Sequence, residues 1–174
     1  LDKKSILILS VGVLAVLVSL PHNLKLFDIF PANDSPFILF ALFVPLLLGY
    51  MIFPVSTIII DSQLVDIADE HELNTGQRSE GVVFSIRSFG IKATHGFGGL
   101  IAGFGLEIIG FSETAEVGNL DLEAITGLLA LNGPVYLAIY VLAIFFMTFY
   151  KLDKDTHSKI LTELEARRKD ETLA

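Results

Sequence analysis

The 174-residue chain is 52% hydrophobic and only 18% charged, with a formal net charge of -8 and no cysteine. An average soluble domain carries about 25% charge, so this composition, with a mean hydropathy of +0.64, reads as that of a membrane protein. The acidic balance argues against a nucleic-acid partner, and without thiols neither a disulfide nor a thiolate metal site can form.

The chain opens at Leu1 and passes through Lys3 and Lys4 directly into an apolar run. A secretory signal needs a small-residue cleavage site after its apolar core, and Leu20-Pro21-His22-Asn23 does not supply one. The start therefore reads as a truncation. Crossing a hydrocarbon core of ~30 Å takes about 20 helical residues, and the sequence offers four candidates. The first, Ser5 to Leu20, is predicted to close at Pro21. The second, Pro36 to Ile60, holds Pro45, Gly49 and Pro54 and is predicted to kink or loosen where backbone bonds are lost. The third, Val82 to Ile109, is long enough to tilt. In the fourth, Ala124 to Tyr150, Asn132-Gly133-Pro134 predicts a break: a short outer helix over Leu122 to Leu131, then a membrane helix from Pro134, since proline suits a first turn.

A tail helix is predicted from Asp153 onward, capped by Asp155 or Thr156, with Ile160, Leu161 and Leu164 on one apolar stripe. It is expected to lie against the cytoplasmic ends of the membrane helices; binding of a partner or of anionic lipid is its alternative role. The expected fold is thus all-α and integral to the membrane, with spans near 5–20, 36–60, 82–109 and 134–150 inside residues 1–152, and a tail over 153–174.

Lysine and arginine set orientation. With the N-terminus, the 61–81 loop and the tail inside, Lys3, Lys4, Arg78, Lys151, Lys154, Lys159, Arg167, Arg168 and Lys169 are cytoplasmic and Lys25 alone is outside. The 111–123 loop, with Glu113, Glu116, Asp121 and Glu123 and no basic residue, suits the outer side.

Within the third span stand Arg87, Ser88, Lys92 and His95, the candidate residues of a substrate or coupling pathway. At 100° per residue, Ser88, Lys92, His95, Gly99 and Gly103 fall within about 80° of one another. Gly99-x-x-x-Gly103, with Gly96 beside it, suits close helix packing. A charge at bilayer depth costs roughly 2.5 to 3.5 kcal/mol on insertion scales and marks a functional site by default. Lys92 is therefore expected to face a carboxylate or substrate hydroxyls; Asp61 and Glu107 belong at the two boundaries, so its partner is expected outside this chain. His95 reads first as a packing residue and second as a proton or substrate group. Arg87 is placed to snorkel. The 61–81 loop is acidic and reads as solvated, and His71 alone does not make a metal site.

The run Asp66-x-x-Asp69-Glu70-His71-Glu72-Leu73-x-Thr75-Gly76-x-Arg78-x-Glu80-Gly81, followed by Arg87-Ser88-Phe89 and Lys92, resembles the glycoside-pentoside-hexuronide:cation symporter family of the major facilitator superfamily. The likeness continues through Gly98-Gly99, Ile109-Gly110-Phe111, Gly133-Pro134 and the basic tail. It implies that the four spans are helices nine to twelve of a twelve-helix, two-bundle carrier. The missing partners would be the N-terminal bundle and the early C-terminal helices. It further implies that Lys92 matches a lysine between the sugar and cation sites, and that Asp66, Asp69 and Arg78, with Glu72 and Glu80 in the same run, belong to a cytoplasmic gate. Ser88 falls where the melibiose carrier has another small hydroxyl residue, whereas Arg87 replaces its glutamine. No cofactor is implied; the coupling cation, Na+ or H+, would find its main ligands outside this chain. The function implied is cation-coupled uptake of a sugar or glycoside across the cell (inner) membrane. Rival readings are an independent four-helix structural or channel-like protein and a same-family carrier of a non-sugar solute. No set of catalytic groups converges in the sequence, so an enzyme is not expected.

Overall fold

A computed structural model of the chain describes residues 2–111, 120–151 and 154–173, and among these there is no β-strand. Helix α1 (Lys3–Leu26) buries Leu7, Val11, Leu14, Ala15 and Val18, one stripe at helical spacing. Pro21 does not end it, contrary to expectation, but lies buried inside it. Proline removes one N–H and crowds the preceding turn, and that loss is local. Beside it the Asn23 side chain donates to the Ser19 carbonyl at 3.0 Å and the His22 ring meets the Val18 carbonyl at 3.1 Å; these contacts brace the turn without replacing the bond that Pro21 withholds from the Leu17 carbonyl.

Helix α2 (Ile38–Thr75) has 38 residues, about 57 Å at 1.5 Å per residue. It runs unbroken through Pro45 and Pro54. The predicted 61–81 loop is thereby corrected: residues 61–75 extend α2, and the connection is only 76–79. That stretch contains no glycine or proline before Gly76, so nothing local stops the helix. It ends where Gly76 adopts a left-handed φ of 73° and its N–H reaches the Glu72 carbonyl, a conformation glycine takes without a Cβ penalty.

Helix α3 (Glu80–Ile108) follows. The predicted break near Pro134 is also corrected. Helices α4 (Leu122–Ala130) and α5 (Tyr136–Met147) are joined by a π-turn over Leu131–Val135 into one helix, Leu122–Met147. In a regular α-helix the proline ring clashes with the carbonyl four residues back, and the wider π-turn accommodates it. Helix α6 (Lys154–Leu173) forms the tail. Asp155 and Thr156 lie inside its first turn and do not cap it. The expected membrane-to-tail boundary at 152–153, and Glu113 and Glu116 of the expected outer loop, lie outside the described residues.

Among the described residues three helices are long and apolar enough to cross a membrane: Lys3–Leu26, Ile38–Thr75 and Leu122–Met147. Helix α3, the expected fourth, has the length at 29 residues, but Arg87, Lys92, His95 and its glycines dilute its apolar content.

Helix α1 lies at the centre, against α2 on one side and α4, the π-turn and α5 on the other. Close approach depends on two glycines: a Cβ on Gly49 would sit 2.9 Å from Val18 Cγ2, and one on Gly133 would sit 3.1 Å from Asn23 Oδ1. A buried hydroxyl pair, Ser10 and Ser56 at 2.9 Å, ties α1 to α2. Lys4 donates to the Thr148 and Tyr150 carbonyls at 2.6 and 2.8 Å, satisfying acceptors just past the end of α5. Ile160 and Leu164 of α6 are buried with Leu73 of α2 and Tyr150 packed against them; Leu161, expected on the same stripe, is 42% exposed.

Candidate functional site

Two groups of polar residues stand out, and they lie in different parts of the molecule. The first is the outer face of α3. Ser88, Lys92, His95, Gly99 and Gly103 share that face and all five are exposed. Neither Lys92 nor His95 has a hydrogen-bond or ion-pair partner among the described residues, and the Ser88 hydroxyl turns back to the Phe84 carbonyl at 2.9 Å. Nothing lies within 4 Å of a Cβ built on Gly96, Gly98, Gly99 or Gly103. The glycines expected to pack helices are therefore bare in this chain, and Gly49 and Gly133 do that work instead. A lysine on a smooth, glycine-lined helix face suits an anionic or hydroxyl-bearing group brought in from outside.

Arg87 does not join that face. Its Nε meets Oδ1 of Asp61 on α2 at 2.5 Å, so two residues assigned by sequence to membrane boundaries form one ion pair. Lone charges at this depth are costly and are commonly paired with one another; opposite sign at similar expected depth was the signal available in the sequence.

The second group is a row of carboxylates on the last turns of α2. Asp66, only 4% exposed, receives the Lys3 ammonium at 2.7 Å on both oxygens. The His157 Nε2 of α6 stands 3.0 Å from Asp69 Oδ2 and 3.4 Å from Asp66 Oδ1. Glu72 accepts from Arg168 at 2.7 Å, and Arg167 donates to the Leu73 carbonyl at 3.4 Å. Asp66, Asp69 and Glu72 follow at three-residue intervals, close to the helical repeat, and so present adjoining sites to one neighbouring helix. Arg78 and Glu80 pair with each other in the 76–79 connection and the first turn of α3, with Nε to Oε1 at 3.0 Å; Glu80 raises the Arg78 pKa still further. The structure thus joins Asp66, Asp69 and Glu72 into one network and leaves Arg78 and Glu80 as a separate local pair.

Lys3, His157 and Arg168 were not singled out in the sequence, because each lies far along the chain from the carboxylate it meets. Tyr150 was missed too. Its hydroxyl is buried without a hydrogen-bond partner among the described residues. Burial first, and then the carboxylates of Asp66, Glu70 and Asp2, push its pKa up to about 12.

A family model described as MFS/sugar transport protein matches residues 3–154. A curated relative named "Uncharacterized symporter YjmB", from Bacillus subtilis (strain 168), is 32% identical over 102 residues. That stretch covers 59% of this chain but 22% of the relative, so the chain spans about a fifth of the length of the curated protein it matches. No solved structure matches the chain.

Proposed function

We propose that this chain, which belongs to the MFS/sugar transport protein family, supplies part of a secondary transporter that carries a sugar or glycoside together with Na+ or H+ by alternating access. The observation that carries the reading is Lys92: a cation without a partner among the described residues, on a glycine-bare face of α3. Support also comes from the symporter named among its relatives. In this reading the chain is the end of the C-terminal bundle of a glycoside-pentoside-hexuronide:cation symporter, helices nine to twelve, with residues 1–152 in the bundle and 153–174 as the tail. The N-terminal bundle and the early C-terminal helices bring carboxylates to Lys92 and hold the main cation ligands. Ser88 and His95 line the same pathway; Gly96, Gly99 and Gly103 let an opposing helix slide close.

Lys92 couples the two solutes electrostatically. A cation or sugar that changes the charge around the opposing carboxylates changes how strongly the ammonium is held, and with it the balance between the two orientations of the bundles. The carboxylate row Asp66, Asp69 and Glu72, with Arg78 and Glu80 beside it, serves as the cytoplasmic gate. The excess of lysine and arginine at the N-terminus, around residues 61–81 and in the tail supports placing these in the cytoplasm of a cell whose inner membrane holds the carrier. A non-sugar solute, first raised by Arg87 in place of glutamine, draws less support once Arg87 faces Asp61 rather than the Lys92 face.

The test is Lys92→Ala in the full-length carrier, measured as uptake of labelled sugars against their gradient. Concentrative uptake should be abolished while membrane levels of the protein hold. Near-normal accumulation would sink the role.

A further inference from the structure

We infer that the Asp61–Arg87 ion pair is the key that fixes the rotation of α3 about its own axis, and thereby the direction in which the Lys92 face is presented; the inference rests on reading α3 as part of a carrier. Helix α3 has no buried residue to hold it by packing. Its half-covered positions are Glu80, Val83, Arg87, Ala93 and Gly105. Four of these, Glu80, Val83, Arg87 and Gly105, fall within about 60° around the helix at 100° per residue. They form a single stripe turned toward the rest of the chain.

Both ends of that stripe meet their neighbours on the same azimuth. Arg87 meets Asp61 near the start of α3. Gly105 lies eighteen residues later, about five full turns and so back at the same angle. A Cβ there would meet Leu131 Cδ1 of the π-turn at 3.4 Å, so this end touches but does not grip. The Arg87 end grips. Asp61 Oδ1 is buried from solvent and forms no hydrogen bond; the Arg87 Nε is the group that compensates its charge. Lys92 then lies about 140° around the helix from Arg87, turned away from α2, and Ile86, Phe97, Ile101 and Phe104 lie on the side opposite the Lys92 face. A rotation of one residue step would carry Lys92 about 100° toward either α2 or the apolar side. The pair is only partly covered, with the Arg87 and Asp61 side chains 25% and 42% exposed, but within a membrane either charge left alone is costly, so the pair sets the register of α3. Asp61 and Arg87 are in this sense positioning residues: they touch neither substrate nor cation.

The experiment uses the full-length carrier with single-cysteine reporters at Leu106, about 40° from Lys92 on its side of α3, and at Phe97, about 140° from Lys92 on the opposite side. Reaction rates with a water-soluble maleimide are compared in the parent, in Asp61→Asn, in Arg87→Gln, and in the exchanged pair Asp61→Arg with Arg87→Asp. Each neutralised variant should shift the ratio of rates at the two reporters by threefold or more and raise the KM for sugar more than it lowers the maximal rate; the exchanged pair should bring the ratio back to within twofold of the parent. An unchanged ratio in both neutralised variants, or an exchanged pair that labels no more like the parent than they do, would overturn the inference. Labelling is scored apart from uptake, so a parent protein that fails to transport sugar would count against the carrier reading while the rotation of α3 is still decided.

Discussion

Tyr150 concentrates several opposing demands on one side chain. It follows α5, packs its ring on Ile160 and Leu164, and keeps a buried hydroxyl next to a row of carboxylates. Burial disfavours its ionised form, and ionising it would also place a second negative charge beside Asp66, so its pKa rises to about 12, against ~10 in an unfolded chain. Because the folded-state value is the higher one, the unfolded chain loses its proton first as pH rises. The stabilisation is complete below pH ~10 and is lost progressively toward pH 12. The carrier in detergent should therefore lose thermal stability steadily between pH 9.5 and 11.5, as on the order of one linked proton requires, and Tyr150→Phe should remove part of that slope. If the two proteins lose stability in parallel across this range, Tyr150 is not the titrating group. The single residue thus reports whether the tail is docked, because undocking would return its hydroxyl to water.

At the scale of elements, the end of α2 and the tail helix α6 hold each other. Apolar contact supplies the foot, Leu73 against Ile160 and Leu164, and the carboxylate row aligns it through His157 and Arg168. Asp69→Lys reverses one site in the row and sets a cation against His157. The tail should become severalfold more sensitive to protease, since the change removes the carboxylate that His157 meets at 3.0 Å and leaves an unpaired cation in a largely covered position. In the proposed gate the same change should favour inward-facing states, raising the reactivity of cysteines placed along the cytoplasmic half of α3. If protease sensitivity and reactivity both stay as in the parent, residues 66–72 are a solvated helix surface and no gate. These elements also mark what could be read in advance. The starts and ends of α3 and the apolar stripe of α6 were legible within a few residues, because periodicity and glycine carry that information locally. Pro21 and Pro134 misled because proline's cost depends on whether the packing around it or a π-turn accommodates the ring, which no local pattern records. The 61–75 segment was read as loop from its charge, yet Asp66, Asp69 and Glu72 find partners on Lys3 and α6 and the helix simply continues. The Lys92 face was legible as an anomaly of composition, whereas the Asp61–Arg87 pair needed the two helices side by side.

For the molecule as a whole, the length of α2 decides how the chain can sit in a bilayer. At about 57 Å it exceeds a hydrocarbon core of ~30 Å by nearly half its length, and Asp66, Asp69, Glu70 and Glu72 lie together at one end. Each charge left in hydrocarbon would cost roughly 2.5 to 3.5 kcal/mol, so that end must protrude. Helix α6 is bound to it through His157 and Arg168, and Lys3 at the start of α1 is bound to it as well. The N-terminal end of α1, the 76–79 connection and the tail must then share one side of the membrane, whichever side that is, while residues 27–37 between α1 and α2 lie on the other. The proposed orientation adds only the choice of side. Single cysteines at Asn33, Gln77 and Ser158 in the full-length carrier separate the two statements. With a thiol reagent that cannot cross membranes, Asn33→Cys should react in intact cells, and Gln77→Cys and Ser158→Cys only after the membrane is opened. The reverse pattern would keep the fold and invert the orientation; Gln77 and Ser158 reporting from opposite sides would separate α6 from the end of α2 and break the carboxylate network on which the gate depends.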